Sequence, residues 1–586
     1  MKINIKTSWD LAKILPNKNE EYEKKKISDK SYQFINKWHG RKDYLENPKI
    51  LKKALLEYEG WLGYFAGGGN LGYFFGLKNA LDQNNPEIKA SLSKISDLAT
   101  KIENDIQFFE YHLSKIAPAK QKLFLETASL KKYHHFLNML FKNAKYLLSE
   151  KEEKLLNLTQ ETSYSNWVKM TSSILSKEQR KRKTLSELIS LTESQNKKER
   201  NSAASALNDI FLKNADIAEN EINSILKNKK VIDELKNIKR PDLPRLLEDD
   251  VEPFVVDSLI RNVTENFYIS HKYYELKANI LKVKKLKYHE RNVEIGKIKT
   301  TFSFEKSVEI VHKVLRKLDP QFSEIFLDLV EKGSIDVYPK VGKAGGAFCA
   351  GGLISQPNFI LLNHTNRLTD VLTLAHETGH SIHNFLSKKN QTPINYGGST
   401  ATAETASAFF EDFALEELLK SAPPQEKTAL LMHKLNSDVA TIFRQVACYN
   451  FERELHQNFR KEGYLSKEKI GEIFQKNMKS YMGDFVEQSA GSENWWVYWS
   501  HIRTFFYVYS YASGLLISKS LQKMVKENPK DIAKVKNFLM AGESKSPYQL
   551  FKEMGVDIAS KNFWSAGIDE VEKLLNETET ISRGFL

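Results

Sequence analysis

The segment Leu368-Thr-Asp-Val-Leu-Thr-Leu-Ala-His-Glu-Thr-Gly-His-Ser-Ile-His-Asn-Phe385 has apolar residues at three- and four-residue intervals, the pattern of one face of an α-helix. His376 and His380 are four positions apart within it, so on a helix their imidazoles lie one turn apart and can converge on one Zn²⁺. Glu377 then lies beside the metal without ligating it, where it can take a proton from water. The segment predicts a helix with a zinc site, and two unconnected surface histidines are the alternative.

A catalytic zinc usually has three protein ligands, so a further ligand is needed. His383 is a poor candidate, because seven helical residues span about 10.5 Å, and we expect it to support or pack beside the site. Glu404 is a better one, since the small residues around it would let a second helix pack close to the first. Glu411, seven positions further along that helix, could hydrogen-bond a ligating imidazole, and it is the first alternative to Glu404 as a ligand.

Composition favours a mainly α fold. Glycine is 27 and proline 15 of 586 residues, so the two strongest helix interrupters are scarce. Amphipathic helical patterns run through the first part of the chain, up to about Lys230, and return after Thr369. Between them, segments 335–339, 345–349 and 358–362 have β-branched and aromatic residues between glycine and proline, which predicts a small β-sheet beside the zinc-site helix.

Several classes of protein are disfavoured. The net charge is +13, but the lysines are dispersed among glutamates and no nucleic-acid-binding motif accompanies them, so we expect no nucleic-acid partner. No apolar run approaches the roughly 18 residues of a membrane span, and no signal-peptide pattern is present. Cys349 and Cys448 cannot form a disulfide framework. These features predict a cytoplasmic protein without a membrane partner.

A glycine-rich motif, Gly67-Gly-Gly-Asn-Leu-Gly72, matches the G-x-G-x-x-G pattern of dinucleotide-binding loops. The surrounding sequence lacks the alternation of strands and helices that such a loop requires. We therefore predict a turn between two helices, with a phosphate-binding loop as the alternative.

The zinc-site motifs and several others together resemble the oligoendopeptidase F branch of the thimet oligopeptidase-like zinc metallopeptidase family. The matching stretches are His376–His383, Ala403–Ser407 with Glu411, Lys343–Cys349, Phe359–Asn363, Phe451–His456, Tyr507–Gly514, Thr7–Leu11 and His271–Lys277. The resemblance covers most of the chain and is strongest from about residue 250 to about residue 520. It implies a large helical gluzincin-type peptidase.

The resemblance also implies roles for particular residues. It makes Glu404 the third ligand of one Zn²⁺ per chain and places His501, Tyr507 and Tyr509 at the reacting peptide, with Tyr511 binding substrate. An imidazole or phenol there could stabilise the oxyanion of a tetrahedral intermediate. Which tyrosine donates is open, because alternate positions on a helix are about 200° apart, and an aromatic core is the competing interpretation.

The expected activity is endopeptidase cleavage of short, unstructured oligopeptides, with Glu377 as general base. Gly345, Gly346 and Ala347 could bind an extended peptide at a sheet edge, a plain β-turn being the alternative. The resemblance implies a helical N-terminal region, residues 1–190, that covers a deep cleft, and a catalytic region, residues 191–586. The rival functions are a catalytically silent helical scaffold and a basic nucleic-acid-binding protein that retains the fold. The sequence indicates neither an oligomeric state nor a cleavage-site preference.

Overall fold

The computed structural model describes residues 3–15, 19–398 and 400–582, and helices dominate them. Many helices begin with a polar residue whose side chain accepts a backbone N–H of the first turn, as Asn47, Asn85 and Ser466 do. The prediction of a mainly α fold is confirmed. In chain order the helices are α1 (Glu20–Trp38), α2 (Pro48–Leu62), α3 (Gly69–Leu81), α4 (Pro86–Ile106), α5 (Phe108–Ser114), α6 (Pro118–Glu126), α7 (His134–Asn143), α8 (Glu150–Gln160), α9 (Asn166–Lys177), α10 (Leu185–Leu191), α11 (Lys197–Leu235), α12 (Leu243–Glu248), α13 (Pro253–Glu265), α14 (Phe267–Ile280), α15 (Phe304–Leu318), α16 (Pro320–Glu331), α17 (Leu368–Asn390), α18 (Thr400–Ser421), α19 (Pro424–Asp438), α20 (Gln445–Glu462), α21 (Lys467–Met482), α22 (Tyr509–Glu527), α23 (Ile532–Met540), α24 (Pro547–Glu553) and α25 (Lys561–Ser582).

The strands are short and form small sheets. They are β1 (Gln179–Arg180), β2 (Lys183–Thr184), β3 (Leu286–Lys287), β4 (Ile335–Asp336), β5 (Phe348–Ala350), β6 (Phe359–Leu361) and β7 (Val486–Glu487). Strands β4, β6 and β5 form a sheet in that order, with β4 parallel and β5 antiparallel to β6. Both β5 and β6 contact α17, so the predicted small sheet beside the zinc-site helix is confirmed.

The chain forms two compact units, and each is assembled from separate stretches of sequence. The first unit comprises Met1–Glu150, Thr300–Lys420 and Leu521–Gly555, and the second comprises Lys151–Lys299, Ser421–Ser520 and Val556–Leu586. The functional division into residues 1–190 and 191–586 stays a prediction.

The core of the first unit joins its N-terminal helices to the β4–β6–β5 sheet. Apolar side chains of α1 and α2, including Trp38 and Leu55, belong to one buried cluster with Phe359 of β6. The Trp9 indole donates a hydrogen bond of 2.8 Å to the carbonyl of Ile360, and the Tyr73 hydroxyl donates one of 2.9 Å to the carbonyl of Ala350. These contacts hold the sheet in place beside α17.

The second unit is built around the 39-residue helix α11 together with α20 and α21. Its interior contains a buried ion pair, in which the Arg503 guanidinium donates to both carboxylate oxygens of Glu221 at 2.8 Å. Such a bidentate pair fixes the segment around Arg503 in one orientation.

Two further sequence predictions concern local features. The glycine motif at 67–72 lies at the turn between α2 and α3 and at the start of α3, as predicted, and no strand adjoins it among the described residues. Within the described part of the chain, no helix has both the length and the apolar character needed to cross a bilayer.

Candidate metal centre

Helix α17 carries the predicted zinc-site motif, and its start is fixed by a carboxylate cap. One oxygen of Asp370 accepts the backbone N–H groups of Thr365 and Arg367, at 2.7 and 2.8 Å. These bonds fix the two residues that lead into the helix, including the N-cap Arg367, onto a carboxylate of its first turn. On the apolar face of α17, Val371 and Ile382 are fully buried, and Phe385 near the end of the helix is exposed. The helix predicted from sequence periodicity is therefore confirmed.

Helix α18 approaches α17 closely at Gly379, which lies within the H-E-x-x-H motif. A Cβ atom at that position would lie 2.7 Å from the Cα of Ser407 and 2.9 Å from the carbonyl oxygen of Ala406. Only glycine fits without displacing one of the helices. This contact brings Glu404 to the histidines, as the small residues around it indicated.

His376, His380 and Glu404 form a group whose potential ligand atoms all lie within 4.8 Å of one another. The Nε2 atom of His376 is 3.5 Å from Oε2 of Glu404, and the two imidazole rings have centroids 5.0 Å apart. Two imidazoles and a carboxylate are a common donor set of catalytic zinc sites. The three residues predicted as ligands are thus brought together, and their chemistry fits Zn²⁺.

Neighbouring polar groups orient two of these side chains. Oε2 of Glu411 lies 2.9 Å from Nδ1 of His376, and the Ser407 hydroxyl donates to Oε2 of Glu404 at 3.1 Å. A carboxylate on the far nitrogen of an imidazole fixes its tautomer and leaves the other nitrogen for a metal. The structure therefore places Glu411 where the sequence predicted it.

The two histidines have different electrostatic surroundings. Burial lowers the pKa of His376, but the carboxylates of Glu411, Glu377 and Glu404 together outweigh burial and raise that pKa to about 9. Burial and the nearby His376 lower the pKa of His380 to about 3. A cation that binds both imidazoles therefore displaces a proton from His376 and meets a neutral ring at His380.

Glu377 is buried, with 6% of its surface exposed, and its Oε2 atom has no hydrogen-bond partner among the described residues. Burial raises its pKa to about 7, although the neighbouring His376 opposes the shift. A carboxyl group with a pKa near neutrality can both accept and donate a proton at physiological pH. His383 is also buried, and burial lowers its pKa to about 4; it is absent from the ligand group.

The predicted substrate-binding segment precedes β5, the edge strand of its sheet. Gly346 has a φ of +72°, which favours glycine. The side-chain amide of Asn363 donates to the carbonyls of Ala344 and Gly346, at 2.9 and 2.8 Å, and so holds the bend at Gly345 and Gly346 in place. A cavity of about 200 Å³ adjoins it, lined by Gly346, Ala347, Leu362, Asn363, His364, Asp370 and Thr373. No role for Asn363 was predicted, although it lies in the family-like stretch Phe359–Asn363.

In the second unit, the structure groups His501, Tyr507 and Tyr511 and separates Tyr509 from them. Nδ1 of His501 is hydrogen-bonded to the Tyr507 hydroxyl, and the Tyr511 ring lies 5.9 Å from His501 and 5.7 Å from Tyr507 between centroids. Burial lowers the pKa of His501 to about 4, so its ring is neutral. Tyr509 is 1% exposed, and its hydroxyl donates to Asp249 at 2.7 Å.

The expected helical spacing of these tyrosines does not describe Tyr507. Helix α22 begins only at Tyr509, and Tyr507 follows a turn in which Phe505 and Phe506 have φ values of +49° and +59°. Tyr507 therefore lies just before the helix, and its ring contacts that of Tyr511 in the first turn.

Comparison with known proteins agrees with these features. The model of peptidase family M3 matches residues 167–570, and that of Oligopeptidase F matches residues 113–177. The oligoendopeptidase F homolog of Borreliella burgdorferi is 27% identical over 593 residues, which cover 98% of this chain and 99% of that protein. A crystal structure from Chlamydophila abortus is 21% identical, covers 98% of both chains and has a TM-score of 0.83.

The crystal structure of oligoendopeptidase-F from Enterococcus faecium has a TM-score of 0.70 at 19% identity, covering 97% of this chain and 99% of its own, so it shares the fold. The family M3 match extends over more than half of the 586 residues. The chain therefore belongs to peptidase family M3, and it is a metalloendopeptidase that acts on oligopeptides.

Proposed function

We propose that this peptidase uses one Zn²⁺ per chain, held by His376, His380 and Glu404, and that Glu377 is its general base. The observation that carries the proposal is the convergence of the three ligand atoms within 4.8 Å, with the buried Glu377 carboxylate adjacent to His376 in the same helix. A helical scaffold without catalytic function has no need of this combination.

The donor set favours zinc, although cobalt or manganese could occupy it, because geometry and metal availability decide occupancy. Zinc at this site would polarise a peptide carbonyl and lower the pKa of water as a Lewis acid. The protein contributes orientation. Glu411 and Ser407 hold His376 and Glu404 in fixed rotamers, so the ligands need little rearrangement when the ion binds.

Glu377 has the features of a general base and of a later proton donor. Its Oε2 atom, which has no hydrogen-bond partner among the described residues, can accept a proton from the attacking water. A carboxyl with a pKa near 7 can then release the proton to the leaving amine. The same residue thus serves both halves of peptide hydrolysis.

His501, Tyr507 and Tyr511 are proposed to bind substrate and to stabilise the oxyanion. A neutral imidazole and two phenols in mutual contact present hydrogen-bond donors without a net charge. Tyr507 and Tyr511 are better candidates than Tyr509, because the buried Tyr509 hydroxyl must donate to the Asp249 carboxylate. The Tyr507 hydroxyl can instead accept from Nδ1 of His501 and keep its own proton for the substrate.

The edge strand β5 and the preceding Gly345, Gly346 and Ala347 are proposed to bind the substrate backbone. An extended peptide can add to a sheet edge through main-chain hydrogen bonds, which need no particular side chain. We also propose that residues 1–190 restrict the cleft to short, unstructured peptides and that the enzyme works in the cytoplasm, in keeping with two free cysteines.

Replacement of Glu377 by glutamine tests the proposal, because glutamine keeps the shape but cannot accept the proton. We expect zinc content to stay at one per chain and peptide cleavage to fall by about a hundredfold or more. Glu331→Gln, at the exposed end of α16, is the matched control and should be unaffected. Metal content is read by mass spectrometry and cleavage with a quenched fluorescent peptide. Undiminished cleavage by Glu377→Gln would refute the assignment.

A further inference from the structure

The turn between His501 and Tyr507 has an unusual backbone. Phe505 and Phe506 are consecutive residues with positive φ, +49° and +59°, and both carry bulky side chains. Aromatic residues avoid this left-handed region, because the Cβ atom crowds the backbone. Such a conformation persists only where the surroundings enforce it, and it is concentrated at functional sites.

Tyr164 and Arg245 contact the start of this turn, and Glu452 in α20 binds the backbone of its second left-handed residue. Its Oε1 atom accepts the backbone N–H of Phe506 at 2.8 Å, and Glu452 has no exposed surface. Its Oε2 atom has no partner among the described residues. A fully buried carboxyl group with one free oxygen is costly, which argues for a role other than stability.

Two further contacts within the second unit hold the aromatic rings of the turn and the arginine before it. The His456 ring, one helical turn after Glu452, lies 5.2 Å from the Phe505 ring and 4.7 Å from the Phe506 ring between centroids. Arg503, before the turn, is fixed by its bidentate pair with Glu221. The backbone between Arg503 and Tyr507 is therefore anchored at its start and at Phe506.

We propose that Glu452 is a positioning residue: by accepting the Phe506 N–H, it keeps the turn left-handed and thereby holds the Tyr507 hydroxyl against His501. This inference rests on the proposed function of Tyr507 as a donor to the oxyanion. Burial raises the pKa of Glu452 to about 8, so the protonated acid dominates at neutral pH, and an amide can replace it as acceptor.

The test compares Glu452→Leu, which removes the acceptor, with Glu452→Gln, which keeps it. We expect Glu452→Leu to lower kcat by about tenfold or more, since a donor displaced by about 1 Å loses much of its effect. KM should change by less than about threefold, and zinc content should be unchanged. Glu452→Gln should retain at least about half of the wild-type kcat. Wild-type kcat in Glu452→Leu overturns the inference.

A double variant separates positioning from a general loss of structure. If Glu452 acts through Tyr507, adding Glu452→Leu to Tyr507→Phe should lower kcat by less than about twofold further. Fully additive effects overturn the positioning role. If Tyr507→Phe alone cleaves at the wild-type rate, the proposed function of Tyr507 is wrong. If kcat is low in Tyr507→Phe but equals the wild-type value in Glu452→Leu, only the role of Glu452 is wrong.

Should Glu452→Leu fail to fold, a pair of substitutions at Phe505 decides the matter. Phe505→Ala and Phe505→Asn both remove the half-buried ring, but asparagine adopts the left-handed conformation more readily than alanine. We expect kcat of Phe505→Ala to be several-fold below that of Phe505→Asn. Equal kcat values in the two variants overturn the claim that the conformation of the turn positions Tyr507.

Discussion

The metal-ligand group of the first unit and the aromatic group of the second unit are held in place by different means. His376 and His380 are fixed by the regular rise of α17, and Gly379 sets the approach of Glu404 on α18. His501 and Tyr507 instead lie at the ends of a turn with two left-handed aromatic residues. A site on helices inherits their rigidity, whereas a site on a turn depends on the few contacts that hold the turn.

The largest effect in this comparison is expected from Glu404→Ala, which removes one of the three proposed ligands. We expect zinc to be lost on desalting and cleavage to fall to background, because two imidazoles alone hold zinc weakly. Zinc content by mass spectrometry checks this. Glu416→Ala, on the same helix and paired with Lys526, is the control. Full occupancy in Glu404→Ala would contradict the ligand set and would point to Glu411.

The aromatic group is tested by Tyr507→Phe beside Tyr509→Phe. Loss of the Tyr507 hydroxyl should lower kcat by about a hundredfold with zinc unchanged, the scale of one oxyanion donor. Tyr509→Phe should change kcat by less than about threefold but destabilise the protein by about 1–3 kcal/mol, because the largely buried Asp249 carboxylate loses its donor. Steady-state kinetics measures kcat, and thermal unfolding measures the loss of stability. A larger fall in kcat for Tyr509→Phe than for Tyr507→Phe would indicate that Tyr509 is the oxyanion donor.

His501→Ala extends this test to the imidazole partner of Tyr507. We expect turnover to fall with zinc content unchanged, because the Tyr507 hydroxyl loses its hydrogen bond and the group loses a neutral donor. Peptide cleavage and metal content, measured on the same preparation, check it. A wild-type rate in both His501→Ala and Tyr507→Phe would move the oxyanion role elsewhere.

These differences also explain what the sequence could predict. The spacing of His376 and His380 is enough to place two imidazoles on one helical face, and the small residues near Glu404 indicate a close helix contact. The conformation of Phe505 and Phe506 has no such signal, because phenylalanine is not typical of left-handed positions. Glu452 lies 54 positions before Phe506, and Asn363 lies 19 after Ala344, so both roles depend on tertiary contacts.

Within the metal group, Glu411→Gln should have a smaller effect than Glu404→Ala. The amide can still accept the proton of His376 Nδ1, but it lacks the charge that makes the imidazole a stronger ligand. We expect zinc affinity to fall by about tenfold. Competition with a chelator of known affinity measures the change. A loss of zinc as complete as that of Glu404→Ala would make Glu411 a ligand.

The smallest effect is expected at the substrate-binding segment, in Asn363→Ala. The carbonyls of Ala344 and Gly346 lose their shared donor, so the segment becomes less ordered before substrate binds. We expect KM to rise by about fivefold with kcat little changed, as for the loss of one net hydrogen bond. Asn390→Ala, at the end of α17, is the control. A selective fall in kcat would give Asn363 a role in the chemical step instead.

Anomalous diffraction at the zinc absorption edge, from crystals of the zinc-loaded protein, tests the central claim most directly. We predict one peak within about 2.0–2.2 Å of an imidazole nitrogen of His376, an imidazole nitrogen of His380 and a carboxylate oxygen of Glu404. A peak that contacts only one of these residues, or that lies elsewhere in the chain, would contradict the proposed metal site.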